Sequence, residues 1–220
     1  MLGCVLVLAI DTSTPTLVTG VVRDGRTLAK VVIPDCRDQN EQLTPATMRM
    51  LADAGVGFAD LDLVVVGAGP GPFTGLRVGM STAQAFADAL NIPVYGVCSL
   101  DAIAQALDRP ALITTDARRK EVYWAAYDNN GRVAGPDVVK PEELTLPDGF
   151  VPAVTNVPAH LRQRLGVEEF VDLCPMPEHL VAVARLDVPP EPLVPLYLRR
   201  PDAKEPAAKP RSAAIPDVEL

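Results

Sequence analysis

Gly67-Ala-Gly-Pro-Gly-Pro-Phe-Thr-Gly-Leu-Arg77 joins an apolar run, Leu63–Val66, to a stretch with helical spacing, about Thr74–Leu90. The pattern is strand, glycine-proline corner, helix. It looks like a phosphate loop, but its chemistry argues otherwise. A phosphate cradle needs a row of backbone N–H donors ahead of a helix N-terminus. Pro70 and Pro72 carry none. No lysine follows, and Pro72 stands where G-x-G-x-x-G needs its third glycine. Two readings remain: a rigid corner that presents the following helix, or a structural turn with no further role.

Working outward, Leu2–Ile10 is an apolar run that ends at Asp11. It is short and has no basic leader, so it reads as a buried first strand rather than a signal peptide. Thr16–Val22 and Thr27–Ile33 flank Arg23-Asp-Gly-Arg26, the signature of a hairpin. Asn40–Ala54 has helical spacing through Leu43, Thr47, Met50, Leu51 and Ala54. Strand Val94–Val97 and helix Ser99–Leu107 follow, and Ser99 reads as a helix cap. Strands alternating with helices after a hairpin imply a mixed sheet covered by helices.

The second half restarts the pattern. Ala111–Thr115 ends at Asp116, Val122–Tyr127 follows, and Asp128-Asn-Asn-Gly-Arg132 turns into another strand. Asp11 precedes Gly25 by 14 residues and Asp116 precedes Gly131 by 15. This spacing suggests two related lobes, although hairpins of this kind also arise independently. The expected division is 1–108, 109–200 and a disordered Pro/Ala-rich tail at 201–220. Between the second hairpin and the tail come short patterns at Phe150–Val154, Pro158–Leu165 and His179–Arg185, and Tyr197-Leu-Arg-Arg-Pro201 is a candidate for docking on the body.

Composition narrows the chemistry. Among 220 residues, 28 acidic and 20 basic side chains leave a net charge of −8. That argues against this chain holding nucleic acid alone. Cys4, Cys36, Cys98 and Cys174 form no C-x-x-C pair, and four scattered thiols fit a reducing cytoplasm. No run reaches the ~18 apolar residues of a membrane span. The histidines are His160 and His179, without metal-ligand spacing.

Asp11-Thr-Ser-Thr14 ends the first strand. Its side chains suit a Mg²⁺-water shell, contact with a nucleotide phosphate, or the capping of backbone N–H groups in a turn. Asp116-Ala-Arg-Arg-Lys-Glu121 is its counterpart, suited to an anion, to a partner's acidic face, or to plain solvation. Helix Thr74–Leu90 carries only Arg77 and Asp88 as charges. A helix apolar over most of its circumference needs cover on two sides, and its small residues allow close approach. A second helix of this chain or another chain provides that cover.

These segments together resemble the TsaB (YeaZ) family. The match runs through Leu8–Thr14, Gly69–Arg77, Pro93-Val-Tyr-Gly-Val-Cys-Ser-Leu100, Asp116–Trp124 and Pro195-Leu-Tyr-Leu-Arg-Arg200. The resemblance implies an α/β, actin-like (ASKHA, RNase H-like) two-lobed fold with mixed sheets flanked by helices. It implies a non-catalytic subunit that pairs with TsaD, joined by the ATPase TsaE, for threonylcarbamoylation of N6 of adenosine 37 in tRNA. ATP and the metal ion then belong to the partners, with none for this chain, and tRNA is reached only through the complex. The implied interface comprises Asn40, Leu43, Thr47, Met50, Phe73, Gly75, Leu76, Val78, Gly79, Ala83 and Phe86, which also serves a homodimer. On this basis Gly79→Arg is expected to block pairing while sparing the fold. Asp11, Thr12, Ser13 and Asp116 become a candidate vestigial nucleotide loop. One departure stands out: where the family often has a histidine in H-x-x-x-L-x-P, this chain has Gln39. The competing functions are an actin-fold ATPase or small-molecule kinase using Asp11 and Asp116, and a metallopeptidase.

Overall fold

The structure, a computed structural model, describes residues 5–165 and 169–199. Strands β1 (Leu6–Asp11), β2 (Leu17–Arg23) and β3 (Arg26–Ile33) form an antiparallel meander. β4 (Leu63–Gly67) lies parallel to β1, and β5 (Val94–Val97) lies parallel to β4. The order is β3-β2-β1-β4-β5. The second half repeats it. β6 (Ala111–Asp116), β7 (Val122–Asp128) and β8 (Gly131–Val139) form the meander, with β9 (Val154–Asn156) and β10 (Phe170–Val171) parallel beyond β6. Its order is β8-β7-β6-β9-β10, strand for strand the order of the first. The fold is therefore actin-like, two mixed sheets of one topology, as the doubled strand–Asp–hairpin pattern suggested.

Burial follows from residue choice. β1 and β4 are apolar throughout and buried on both faces, as expected for central strands covered by helices on each side. Period-2 alternation splits them cleanly. Leu6, Leu8, Ile10, Val64 and Val66 meet helices α1 (Gln39–Asp53) and α2 (Phe73–Leu90). Val7, Ala9, Leu63 and Val65 face the other way, towards Ala102 of α3 (Ser99–Ala104) and Leu180 of α5 (Pro177–Val183). α4 (Arg162–Leu165) belongs to the second lobe. α2 ends at Asn91, whose left-handed backbone lets the N–H groups of Asn91 and Ile92 close the last turn.

Several expectations shift in detail. The first strand begins at Leu6; residues 1–4 lie outside the described residues. α3 stops at Ala104 rather than Leu107, because the chain must turn to enter β6. Phe150 is no strand residue: it packs in a loop beside Trp124 and Leu112, and the strand starts at Val154. The helix expected at His179–Arg185 spans Pro177–Val183. It packs on the first sheet, where Gly20 of β2 leaves room for the Pro177 ring. Glu178 fastens it by accepting from Thr27 Oγ1 at 2.5 Å, with Lys30 Nζ at 3.8 Å. Residues 109–200 hold the second sheet, but the chain returns to the first lobe at α5. The expected tail from 201 onward lies outside the described residues.

Candidate functional site

The corner Gly67–Pro72 and the start of α2 clamp the turn that follows β1. Asp11 is fully buried. Its Oδ1 accepts from Ser13 N at 2.8 Å and Ser13 Oγ at 2.7 Å, and its Oδ2 accepts from Ser99 Oγ at 2.6 Å. Ser99 is thus not the expected cap; its hydroxyl reaches 88 residues back to a carboxylate. Burial pushes the Asp11 carboxyl above its ordinary value, against the lowering effect of these hydrogen bonds. Four glycines permit the arrangement. A Cβ at Gly67 would collide with Asp11 Oδ2, at Gly71 with the Ser13 backbone, at Gly75 with Thr12 O, and at Gly79 with Thr12 Oγ1. Thr12 Oγ1 donates to Gly75 O at 2.7 Å. The N–H groups of Ser13 and Thr16 are bound inside the turn, to Asp11 and to Thr14 Oγ1. The turn spends its polar groups on its own chain.

The turn after β6 is built differently. Asp116 is half-buried, accepts from Arg118 N at 2.7 Å and lies 3.3 Å from His160 Nε2. Arg118, Arg119 and Lys120 all have positive φ (60, 52 and 68°) and are exposed. Each costs of order 1 kcal/mol relative to ordinary backbone. Between the two turns lies a cleft of about 1290 Å³. Thr12, Thr14 and Gln39 line one wall, and Asp116, Arg118 and Tyr123 the other. Gln39 Nε2 donates to Thr14 O at 2.9 Å, so the residue in the histidine's place braces the first turn. Of the candidate nucleotide loop, Thr12 and Asp116 line this cleft, whereas Asp11 and Ser13 are engaged behind it.

The C-terminal segment crosses the seam, as the Tyr197–Pro201 motif suggested, although residues 200 and 201 lie outside the described ones. Leu196 N donates to Ala68 O at 2.8 Å, Leu193 packs on the first core and Leu198 on the second. Tyr197 stacks on Phe73 with ring centroids 5.3 Å apart, and Arg77 lies 4.3 Å over the Phe73 ring. Arg199 pairs with Glu121. Tyr123 OH adds a second tie between the lobes, donating to Gly71 O at 3.3 Å.

The residues expected at a partner interface divide. Asn40 and Phe73 are exposed; Val78 and Phe86 are half-buried, with Phe86 against Phe58 at 4.9 Å. Leu43, Thr47, Met50, Gly75, Leu76, Gly79 and Ala83 are buried inside the chain. Thr47 Oγ1 meets Thr19 Oγ1 at 3.1 Å. The small residues of α2 thus admit the chain's own Thr12 turn. Gly79→Arg would strike the fold, contrary to expectation. The exposed sides of these packed helices carry other residues: Thr44, Pro45, Met48 and Ala52 with Glu41, Arg49 and Asp53 on α1, and Ser81, Ala85 and Ala89 with Arg77, Gln84 and Asp88 on α2. Met48 is 57% exposed. The spacing of α1 held this signal, since Thr44, Met48 and Ala52 recur every four residues.

Among the described residues, no group of three His, Cys, Asp or Glu side chains is placed to hold a metal ion, and no helix is long and apolar enough to cross a membrane.

Residues 28–161 match the family model described as TsaD, tRNA N6-adenosine threonylcarbamoyltransferase. The tRNA threonylcarbamoyladenosine biosynthesis protein TsaB of Escherichia coli is 35% identical over 146 residues, 62% of this chain and 63% of that protein. The chain belongs to this family, on its TsaB (YeaZ) branch. Its likeness to an uncharacterized Mycobacterium tuberculosis protein is greater, 50% identity over 200 residues, covering 90% of this chain and 93% of that one. A solved Pseudomonas aeruginosa protein, described as similar to the peptidase YeaZ, is 27% identical with a TM-score of 0.74, covering 89% of this chain and all of that one. In this chain the glycine corner holds the β1 turn in the core.

Proposed function

We propose that this chain is a non-catalytic partner subunit in the formation of threonylcarbamoyladenosine on tRNA, working in the cytoplasm beside a TsaD-like catalytic subunit and a TsaE-like ATPase. What carries the reading is the state of the β1 turn within a TsaB-branch chain. Asp11, the carboxylate an actin-fold ATPase would turn towards its nucleotide, has its oxygens engaged by Ser13 and Ser99. ATP and the metal ion are assigned to the partners. Pairing is assigned to the exposed sides of α1 and α2, centred on Met48 and Ala85, with self-association through the same face. Thr44, Ala52, Ser81, Ala85 and Ala89 are small enough to let a second pair of helices approach closely.

Light scattering of the chain mixed with its TsaD-like partner tests this. A one-to-one species is expected. Met48→Glu and Ala85→Arg should abolish it while leaving far-UV circular dichroism unchanged, because both positions are exposed and a buried unpaired charge is costly at an interface. Pairing at normal affinity in both variants would contradict the assignment.

A further inference from the structure

We propose that the C-terminal segment from Leu193 to Arg199 is a clasp, whose contacts across the seam set how far the interlobe cleft stands open. The two sheets share no strand pairing, and their cores are separate clusters. α3 joins the lobes behind the cleft. Its Ser99 hydroxyl holds Asp11 of the first lobe. Its Asp101 accepts from Tyr127 OH at 2.7 Å and from Arg132 Nη1 at 3.1 Å, both of the second lobe. Ala102 packs on the first sheet, while Leu100 and Ile103 enter the second core. A six-residue helix held from both sides is a suitable pivot, because short elements at a junction absorb small rotations of the bodies they join.

The segment grips one lobe and then the other within a few residues. Leu193 sits over Gly96 of β5, where a Cβ would come within 3.1 Å of it. Leu196 N donates to Ala68 O, and Tyr197 stacks on Phe73 while accepting from Arg77 Nε at 3.3 Å. These partners all belong to the first lobe. The next two residues belong to the second: Leu198 enters its core and Arg199 pairs with Glu121. Tyr197, Leu198 and Arg199 line the cleft, so the crossing is made at its wall. The segment forms no strand or helix. Its hold therefore comes from this short set of contacts, and such a segment is released at lower cost than the cores on either side. Tyr123 OH reaches Gly71 O only at 3.3 Å, a single bond against the several of the clasp.

The test measures the distance between the lobes in the full chain. Spin labels on p-acetylphenylalanine at Glu41 of α1 and Asn129 of the β7–β8 turn, both exposed, leave the cysteines untouched, and double electron–electron resonance reads their separation. Amide exchange on the same samples reads release of the segment itself. Tyr197→Ala removes the stack, and Arg199→Glu sets a carboxylate against Glu121. Both positions lie outside the regular elements, so far-UV circular dichroism should not change. Each variant should lengthen and broaden the distance distribution and speed exchange at Leu196 about tenfold. Arg199→Glu combined with Glu121→Arg should restore the wild-type distance and exchange, which a loss of packing alone would not. Faster exchange at an unchanged distance would overturn the inference, because the lobes would then hold each other without the clasp. Wild-type behaviour of both single variants would overturn it as well, as would a charge-swapped variant that stays as open as Arg199→Glu.

Discussion

At the end of β1 the chain buries Asp11 completely and locks its carboxylate with two serines. At the end of β6, the same place in the second copy of the topology, it leaves Asp116 half-exposed beside His160 and a tip of three cations. The duplicated strands bring the two turns to equivalent places, but the second holds left-handed backbone at Arg118, Arg119 and Lys120 and the first does so at none of residues 12–16. The neighbours differ as well. The first turn meets a corner whose glycines let backbone come within contact of Asp11, Thr12 and Ser13. The second meets the cleft. A repeated fold thus yields one turn used as a structural post and one whose three cations stand exposed.

The strongest way to break this comparison is to add a methyl group to the post. Gly67→Ala places a Cβ against Asp11 Oδ2 and Ser99 Oγ, and neither can retreat from a packed core. The urea midpoint should fall by the equivalent of about 3 kcal/mol; an unchanged midpoint would mean that the post is soft. By contrast, Arg118→Asn in the second turn removes no core contact and eases left-handed strain, so stability should rise by about 0.5 kcal/mol. That is the smallest of the effects.

Asp11→Asn lies between them. Burial raises the Asp11 carboxyl above the ordinary 3.8, so the native state holds this proton more tightly than the unfolded chain does. Its contribution is then most favourable below that ordinary value and declines as pH rises through the raised one. An amide retains an acceptor for Ser13 and gains a donor towards Ser99, without charge. The variant should match wild type near pH 4 and exceed it by about 1 kcal/mol near pH 7. Parallel stability curves would show that the buried carboxylate is not the source of the decline.

Much of this was legible in the residues. Apolar runs ending at Asp11 and Asp116, each followed by a glycine turn, announced the doubled sheet, and the glycine-proline corner read as structural because it lacks N–H donors and a lysine. What stayed hidden depended on distant partners. Ser99 looks like a cap until strand pairing sets it beside Asp11, 88 residues away. Gly75 and Gly79 look like a surface for another helix until the Thr12 turn fills it. α5 lies late in the chain, yet its Pro177 matches the gap left by Gly20 in the first sheet. Local patterns record which residues want cover, and topology decides what covers them.

The most direct measurement is reconstituted tRNA threonylcarbamoylation with this chain carrying Asp11→Asn and Asp116→Asn together, alongside TsaD-like and TsaE-like partners. The account predicts modification at the wild-type rate, since neither carboxylate takes part in the chemistry, and no modification when the chain is omitted. Full pairing with the partner but loss of modification in the double variant would contradict it and place catalysis in this chain.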